Sequence, residues 1–350
     1  MSLRTGTKPW SCSWRVSSRE DCDMYLTFFG LAEKPFNTTP DPRFLHMTPG
    51  HREALAQLFY GTQERKGFIV LIGKVGTGKT TLLHALRQRL NGHSAISFIV
   101  NSTLRFDELL EYVLEDLGIP KAGDSRAQRL IALNNFLIKR ERDGQNTVLI
   151  IDEAQNVDVA TLEQIRLLSN FETPTSKPLQ ILLVGQPELK TRLNLPELRQ
   201  LKQRVGLRCQ IPPLTLEETR AYIRTRLRIA GARDLGLFAD SAVDRISAYA
   251  GGIPRLINTV CDHCLLFGYA DQKRRIDRQI VNQAIEYLED GTRPQSKGRE
   301  LRGSRTQRLL RWSIGSFAVT LASAIAALAL KSHIVTQGLI QSVRQFLVTP

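Results

Sequence analysis

Phe68-Ile69-Val70-Leu71-Ile72-Gly73-Lys74-Val75-Gly76-Thr77-Gly78-Lys79-Thr80-Thr81 is the stretch that decides the fold. Its first five residues are an unbroken apolar run, the pattern of a parallel strand buried on both faces. Residues 73–80 then fit G-x-x-x-x-G-K-[ST], and Thr81 to Leu90 reads as a helix stopped by Asn91-Gly92. Between a strand and a helix, such glycines let main-chain N–H groups curl around phosphate oxygens. Lys79 can reach the outer phosphates as a point charge, and the Thr80 hydroxyl can ligate Mg²⁺. The helix adds its N-terminal dipole and free N–H groups. Gly73, Val75, Gly76, Thr77, Gly78, Lys79, Thr80 and Thr81 are therefore the expected phosphate cradle. The plainer alternative is a glycine-rich turn with an exposed lysine.

Outward from this loop, short apolar runs alternate with helical patterns. Strands are expected at Ile96–Val100, Val148–Ile151, Leu179–Val184 and Leu207–Ile211. Phe106, Leu109, Leu110, Val113, Leu114 and Leu117 form one apolar helical face, ended by Gly118. Further helices are expected near Ala127–Arg140 and Ala160–Asn170. Strands alternating with helices predict a parallel sheet covered on both faces. After Pro212-Pro213 the pattern turns wholly helical to about residue 290, broken at Gly231, Gly236 and Gly251-Gly252.

Val148-Leu149-Ile150-Ile151-Asp152-Glu153 supplies a second half to the site. A carboxylate at the end of a buried strand can hold the Mg²⁺ hydration shell, which suits Asp152. Glu153 beside it can orient or deprotonate an attacking water. Gln186 follows the fourth strand, where it can contact a γ-phosphate or the water, or simply close a turn. Arg255, in Gly251-Gly252-Ile253-Pro254-Arg255, opens a helix and can reach a γ-phosphate, or serve as a surface cap. Arg204, just before the fifth strand, is a candidate arginine finger acting on a neighbouring subunit's phosphate, with Arg199 and Arg208 as rivals.

Length and composition set wider bounds. At 350 residues the chain can hold more than one domain. A net charge of +14 favours anionic partners without choosing among nucleotide, nucleic acid and acidic membrane. Five cysteines, an odd number, argue against a secreted disulfide scaffold. Cys261-Asp262-His263-Cys264 offers a C-x-x-C but no second ligand pair, so packed helical thiols are expected. Residues 1–23 lack apolar periodicity and are expected either to be disordered or to precede the true start of translation at Met24. Residues 291–311 read as a basic, flexible linker. Trp312 to Leu330 contains no charged residue and is long enough for a transmembrane helix, flanked by Lys and Arg on the side expected to stay cytoplasmic. A buried helix of a soluble bundle is the alternative. Residues 331–350 form a short tail.

Taken together these residues resemble the AAA+ ATPases of the general secretion pathway protein A type. The resemblance spans about residues 24–290. It includes Phe29-Gly30-Leu31, Glu33-Lys34-Pro35-Phe36, Thr39-Pro40-Asp41-Pro42-Arg43-Phe44-Leu45, Arg52-Glu53-Ala54-Leu55, Gly185-Gln186-Pro187-Glu188-Leu189 and Gly252-Ile253-Pro254-Arg255. It implies an AAA+ P-loop α/β fold over 24–213, with a five-stranded parallel sheet of order 5-1-4-3-2, and a helical lid over 214–290. It implies ATP and Mg²⁺ as ligands. Lys79 and Thr80 become the Walker A pair, Asp152 and Glu153 the Walker B pair, Gln186 sensor 1, Arg255 sensor 2 and Arg204 the finger. Residues around Pro35–Leu45 would help enclose adenine. Family members are often anchored in the inner membrane with a peptidoglycan-binding domain beyond, a domain too large for residues 331–350.

The reading that follows is a homo-oligomeric ATPase at the bacterial inner membrane, its catalytic part on the cytoplasmic side. It would serve a secretion or envelope-assembly apparatus, with anionic lipid as a further partner. The rival is a DNA-binding AAA+ regulator such as a transposition target selector, motivated by the same positive charge.

Overall fold

The computed structural model describes residues 24–291, apart from 38–41, 45, 93, 101–102, 121–122 and 172–175. The expectations that fall on 1–23 and 292–350, including the start at Met24, most of the basic linker and the span at 312–330, lie outside the described residues. Among the described residues no helix is long and apolar enough to cross a membrane.

The chain runs α1 (Met24–Phe29), α2 (Pro49–Gln63), β1 (Phe68–Gly73), α3 (Lys79–Leu90), β2 (Ser94–Ile99), α4 (Phe106–Asp116), α5 (Arg126–Arg142), β3 (Asn146–Ile151), α6 (Val159–Leu168), β4 (Leu179–Gly185), α7 (Pro187–Arg192), α8 (Arg199–Arg204) and β5 (Val205–Ile211). Four more helices follow: α9 (Leu216–Ile229), α10 (Asp240–Ala250), α11 (Pro254–Ala270) and α12 (Arg278–Asp290). The five strands pair in parallel in the order β5-β1-β4-β3-β2, as expected.

Strand period explains the two layers around the sheet. Successive side chains of a strand point to opposite faces. Phe68 and Val70 of β1, Leu149 and Ile151 of β3, and Ile181 and Leu183 of β4 join one core with α4, α5 and α6. Their neighbours Ile69, Leu71, Val148, Ile150, Leu182 and Val184 join the other, with α2 and α3. The central strands are therefore buried almost throughout, whereas β5, at one edge, alternates exposed and buried residues towards its end.

Helix α2 is not marked out by the sequence reading, although its start is legible. Thr48 caps it, with its hydroxyl accepting from His51 N–H at 3.3 Å, and Pro49 opens its first turn. Gly61 lets it lie close on β5, since a Cβ there would come within 2.6 Å of Leu207 Cδ2.

A third core unites α9–α12 with Tyr25, Leu26, Phe29, Leu31, Phe36 and Phe44. The N-terminal segment thus packs among the last four helices and not on the sheet. One backbone hydrogen bond fastens the start of this helical layer onto itself, and a second ties the layer to the loop after β1. Leu214 N–H donates to Gly252 C=O at 2.8 Å, and Arg255 N–H donates to Gly76 C=O at 3.3 Å.

Candidate nucleotide-binding site

The loop between β1 and α3 is shaped by glycine. Gly76 and Gly78 have φ of 77° and 94°, the left-handed region that glycine enters without a steric cost. Gly78 is the N-cap of α3 and brings no side chain to the first turn, so the N–H groups there stay available to an anion. At Gly76 a Cβ would lie 2.6 Å from Arg255 Cβ, so the bare backbone also allows α11 to close over the loop.

Lys79 is 5% exposed, and its Nζ donates to the carbonyls of Gly73 and Lys74 at 3.0 and 3.4 Å. A buried ammonium among carbonyl oxygens and free amides fits a multiply charged phosphate ligand. Thr77 is buried and its hydroxyl closes the loop on Lys74 C=O at 2.8 Å. His51 from α2 supports the loop from behind. Its Nε2 lies 2.9 Å from Thr77 C=O and its Nδ1 lies 2.7 Å from Thr48 Oγ1. A carbonyl only accepts, so the proton sits on Nε2 and the Thr48 hydroxyl donates to Nδ1.

Parallel pairing brings the end of β3 level with the loop. Asp152 is 5% exposed; its Oδ2 accepts from Thr80 Oγ1 at 3.4 Å and its Oδ1 from Glu153 N–H at 2.8 Å. Burial, reinforced by the Glu153 charge, pushes the Asp152 carboxyl above the usual carboxylate range, against the pull of the Glu153 N–H, Lys79 and Thr80. A hydroxyl and a carboxylate this close form a hard oxygen donor set that fits Mg²⁺. Glu153 sits at φ 50°, a left-handed conformation unusual for a residue with a side chain and common at functional sites. Burial raises its pKa, but the side-chain amides of Gln186 and Gln155, with Lys79 behind them, prevail and hold the carboxyl low. Gln186, at the N-cap of α7, donates from Nε2 to Glu153 Oε2 at 2.9 Å.

These groups line a cavity of about 770 Å³. Val75 to Thr81 line one end, with Glu153 and Arg255 beside them. Gly73, Asp152 and Gln186 stand just behind that lining through the contacts given above. The far end is walled by Asn37, Phe44, His46, Tyr222 and Arg226. Arg226 is buried, lies 4.8 Å from the Phe44 ring centroid, and donates to Pro35 C=O, Asn37 C=O and Tyr222 Oη. It fastens the N-terminal segment to α9, and the Phe44 and Tyr222 rings give the wall aromatic surface suited to a flat ring system. Burial, together with His51 and Arg52, lowers the His46 pKa and so favours its neutral ring.

Arg204 is not in this cavity. Val205 pairs with Phe68, at the start of β1, whereas the loop follows Gly73. Five strand residues separate the two ends, about 17 Å. Its guanidinium is hydrogen-bonded to Ser169 and Asn170 of its own chain. Arg199 opens α8 and Arg208 lies exposed on β5. Cys261 and Cys264 are buried in the helical core with thiol pKa values raised by burial, and among the described residues no His, Cys, Asp and Glu cluster offers a metal site.

His51, Gln155, Tyr222 and Arg226 were not singled out by the sequence. Each acts through a contact distant along the chain, and no spacing rule marks such a residue.

The family described as AAA domain matches residues 62–193. General secretion pathway protein A of Aeromonas hydrophila is 41% identical over 254 residues, covering 72% of this chain and 46% of that protein. An uncharacterized HTH-type transcriptional regulator of Methanocaldococcus jannaschii is 26% identical, covering 62% of each. The chain thus spans about half the length of the curated relatives it matches. Among solved structures, the Aeropyrum pernix ORC2 protein in its ADPNP–ADP complexes aligns with a TM-score of 0.53 at 18% identity, covering 74% of this chain and 72% of that one. Cdc6p of Pyrobaculum aerophilum gives 0.53 at 18% identity over 71% of each chain, a likeness of fold. Residues 62–193 thus carry an AAA domain on an α/β fold with a glycine loop, and across 72% of its length this chain is similar to general secretion pathway protein A.

Proposed function

We propose that this chain binds Mg²⁺–ATP in the cavity and hydrolyses it, using the cycle to drive assembly or remodelling in a bacterial secretion or envelope-building system. The observation that carries this reading is the meeting of four elements at one point. The β1–α3 loop presents amides and Lys79, α3 presents Thr80, β3 presents Asp152 and Glu153, and β4 presents Gln186. Thr80 and Asp152 would hold Mg²⁺, which when bound supplies positive charge to the β- and γ-phosphates. Glu153 takes a proton from a water whose oxygen attacks the γ-phosphorus; the bond to the bridging oxygen breaks and ADP leaves with that electron pair. Gln186 holds the water or a γ-phosphate oxygen, and Arg255 reports the γ-phosphate to the helical lid over residues 214–290. Arg204 acts on the nucleotide of a neighbouring copy, which makes turnover depend on a homo-oligomer.

The test is nucleotide binding by Lys79→Ala. Removing one charge-assisted contact of about 1.5–3 kcal/mol should weaken Mg²⁺–ATP binding roughly 10- to 100-fold in a fluorescence titration. Unchanged affinity would reject the site.

Support for a membrane role comes from the relative's secretion-pathway name, the basic run at 293–311 and the uncharged run at 312–330. A positively charged stretch beside an apolar segment suits an anionic cytoplasmic leaflet. The full chain should fractionate with the inner membrane, and deletion of 312–350 should release it. Equal solubility of both forms would remove the anchor. A DNA-directed role has less behind it, since eight of the fourteen net positive charges fall after residue 291, where lipid explains them equally well. Salt-sensitive DNA binding by the chain without residues 291–350 would favour that role instead.

A further inference from the structure

Gln155 has no part in the mechanism above, yet its side chain joins two residues on which that mechanism depends. It lies in the 3₁₀ turn Ala154–Asn156 that follows β3, and it is half-buried. Its Oε1 accepts from Gln186 backbone N–H at 3.1 Å. A backbone N–H only donates, so this contact settles the amide orientation and turns Nε2 towards Glu153, where it donates to Oε2 at 2.5 Å. Gln186 Nε2 reaches the same carboxylate oxygen at 2.9 Å. Three side chains from two strand ends thus close one ring of hydrogen bonds. The space for it is made by Gly185, where a Cβ would sit 2.7 Å from Gln155 Oε1.

We propose that Gln155 is a positioning residue that couples the Glu153 carboxylate to the backbone at Gln186, so that engagement of Gln186 by a γ-phosphate is transmitted to the group that activates water. The inference rests on the proposed hydrolysis reading. Both amide donors fall on Oε2, which leaves Oε1 as the lone-pair carrier for a water. When the Gln186 side chain turns to phosphate, Gln155 remains as the donor that stops Glu153 from swinging away. The Gln186 backbone position stays linked to Glu153 through the same amide. The charged neighbours of Glu153 are Asp152, directly after β3, and Lys79, at the start of α3. Gln155 and Gln186 are the uncharged donors.

Two full-length variants test this. Gln155→Ala removes both hydrogen bonds. Gln155→Glu keeps the shape and the acceptor for Gln186 N–H but sets a second carboxylate against Glu153. Three quantities are read: the Kd for a fluorescent Mg²⁺–ATP analogue, the single-turnover rate of bound ATP, and the backbone amide proton shift of Gln186 in nucleotide-free protein. Losing its acceptor should move the Gln186 amide in Gln155→Ala, whereas Gln155→Glu, which keeps that acceptor, should leave it near its wild-type position. Turnover should fall roughly 10- to 100-fold in both variants, since both lose the donor to Glu153, as expected for a misplaced reacting group. The Kd should stay within about threefold, which also reports an intact fold. A fall in turnover matched by an equal loss of affinity, or an unmoved Gln186 amide in Gln155→Ala, would mean a merely structural residue and would overturn the proposal. Wild-type turnover in either variant would overturn it equally. If Glu153→Gln keeps full activity, the hydrolysis reading fails instead, whatever the Gln186 amide of the Gln155 variants shows.

Discussion

Glu153→Gln should bind Mg²⁺–ATP with close to wild-type affinity and turn it over about 10²- to 10⁴-fold more slowly, the usual contribution of a positioned general base. The substitution is nearly isosteric, so the hydrogen bond from Gln186 to the retained oxygen can persist. Lys79 and the loop amides, the proposed phosphate ligands, are untouched. What disappears is the lone pair that accepts the water's proton. Single-turnover assays with bound ATP separate this effect from slow product release. Activity within a few-fold of wild type would show that another group activates the water. Burial raises the Glu153 pKa, but the amide donors outweigh it and hold the carboxyl below its ordinary value, so it is already ionised at neutral pH.

Arg204→Ala is expected to have an equal or larger effect by a different route. A finger arginine is worth about 10³–10⁵ in phosphoryl-transfer rate. Arg204 stands at the far end of the sheet from its own loop, so it can act only on the nucleotide of another copy. Its bonds to Ser169 and Asn170 hold the guanidinium in a fixed direction at that end. The variant should bind ATP normally and lose turnover at every protein concentration. Mixing it with Lys79→Ala should restore part of the activity, because the second variant donates an intact arginine to the first one's intact site. No restoration in the mixture would reject action between subunits. Parallel variants at Arg199 and Arg208 identify which arginine carries the effect.

Much of the site could be read from local sequence because its chemistry is local. A loop of glycines, a lysine and a threonine works through its own backbone, so seven or eight consecutive residues declare it. Asp152 and Glu153 declare themselves as acids at the end of an apolar run, since a buried strand that ends in charge must emerge at the edge of a sheet. Gln186 is different. Its position after β4 was legible, but its hydrogen bond to Glu153 depends on β3 and β4 being neighbours, a pairing of segments 33 residues apart. Gln155 was invisible for the same reason. His51 was missed because α2 lacks a strong apolar period, and one histidine on an unassigned helix says nothing about the loop it supports.

The sequence by itself determined the alternation of strands and helices, the glycine loop with its lysine, the acidic pair and the helical character of residues after 213. Each is encoded in neighbouring residues, through side-chain period, backbone freedom or charge. Tertiary structure alone decided that the N-terminal segment packs with α9–α12, that Arg226 and Tyr222 wall the far end of the cavity, that His51 braces Thr77, and that Gln155 closes the ring with Glu153 and Gln186. Those arrangements join residues far apart in the chain. Their stability comes from burial and from matching buried donors with acceptors, conditions met only once the whole chain has packed.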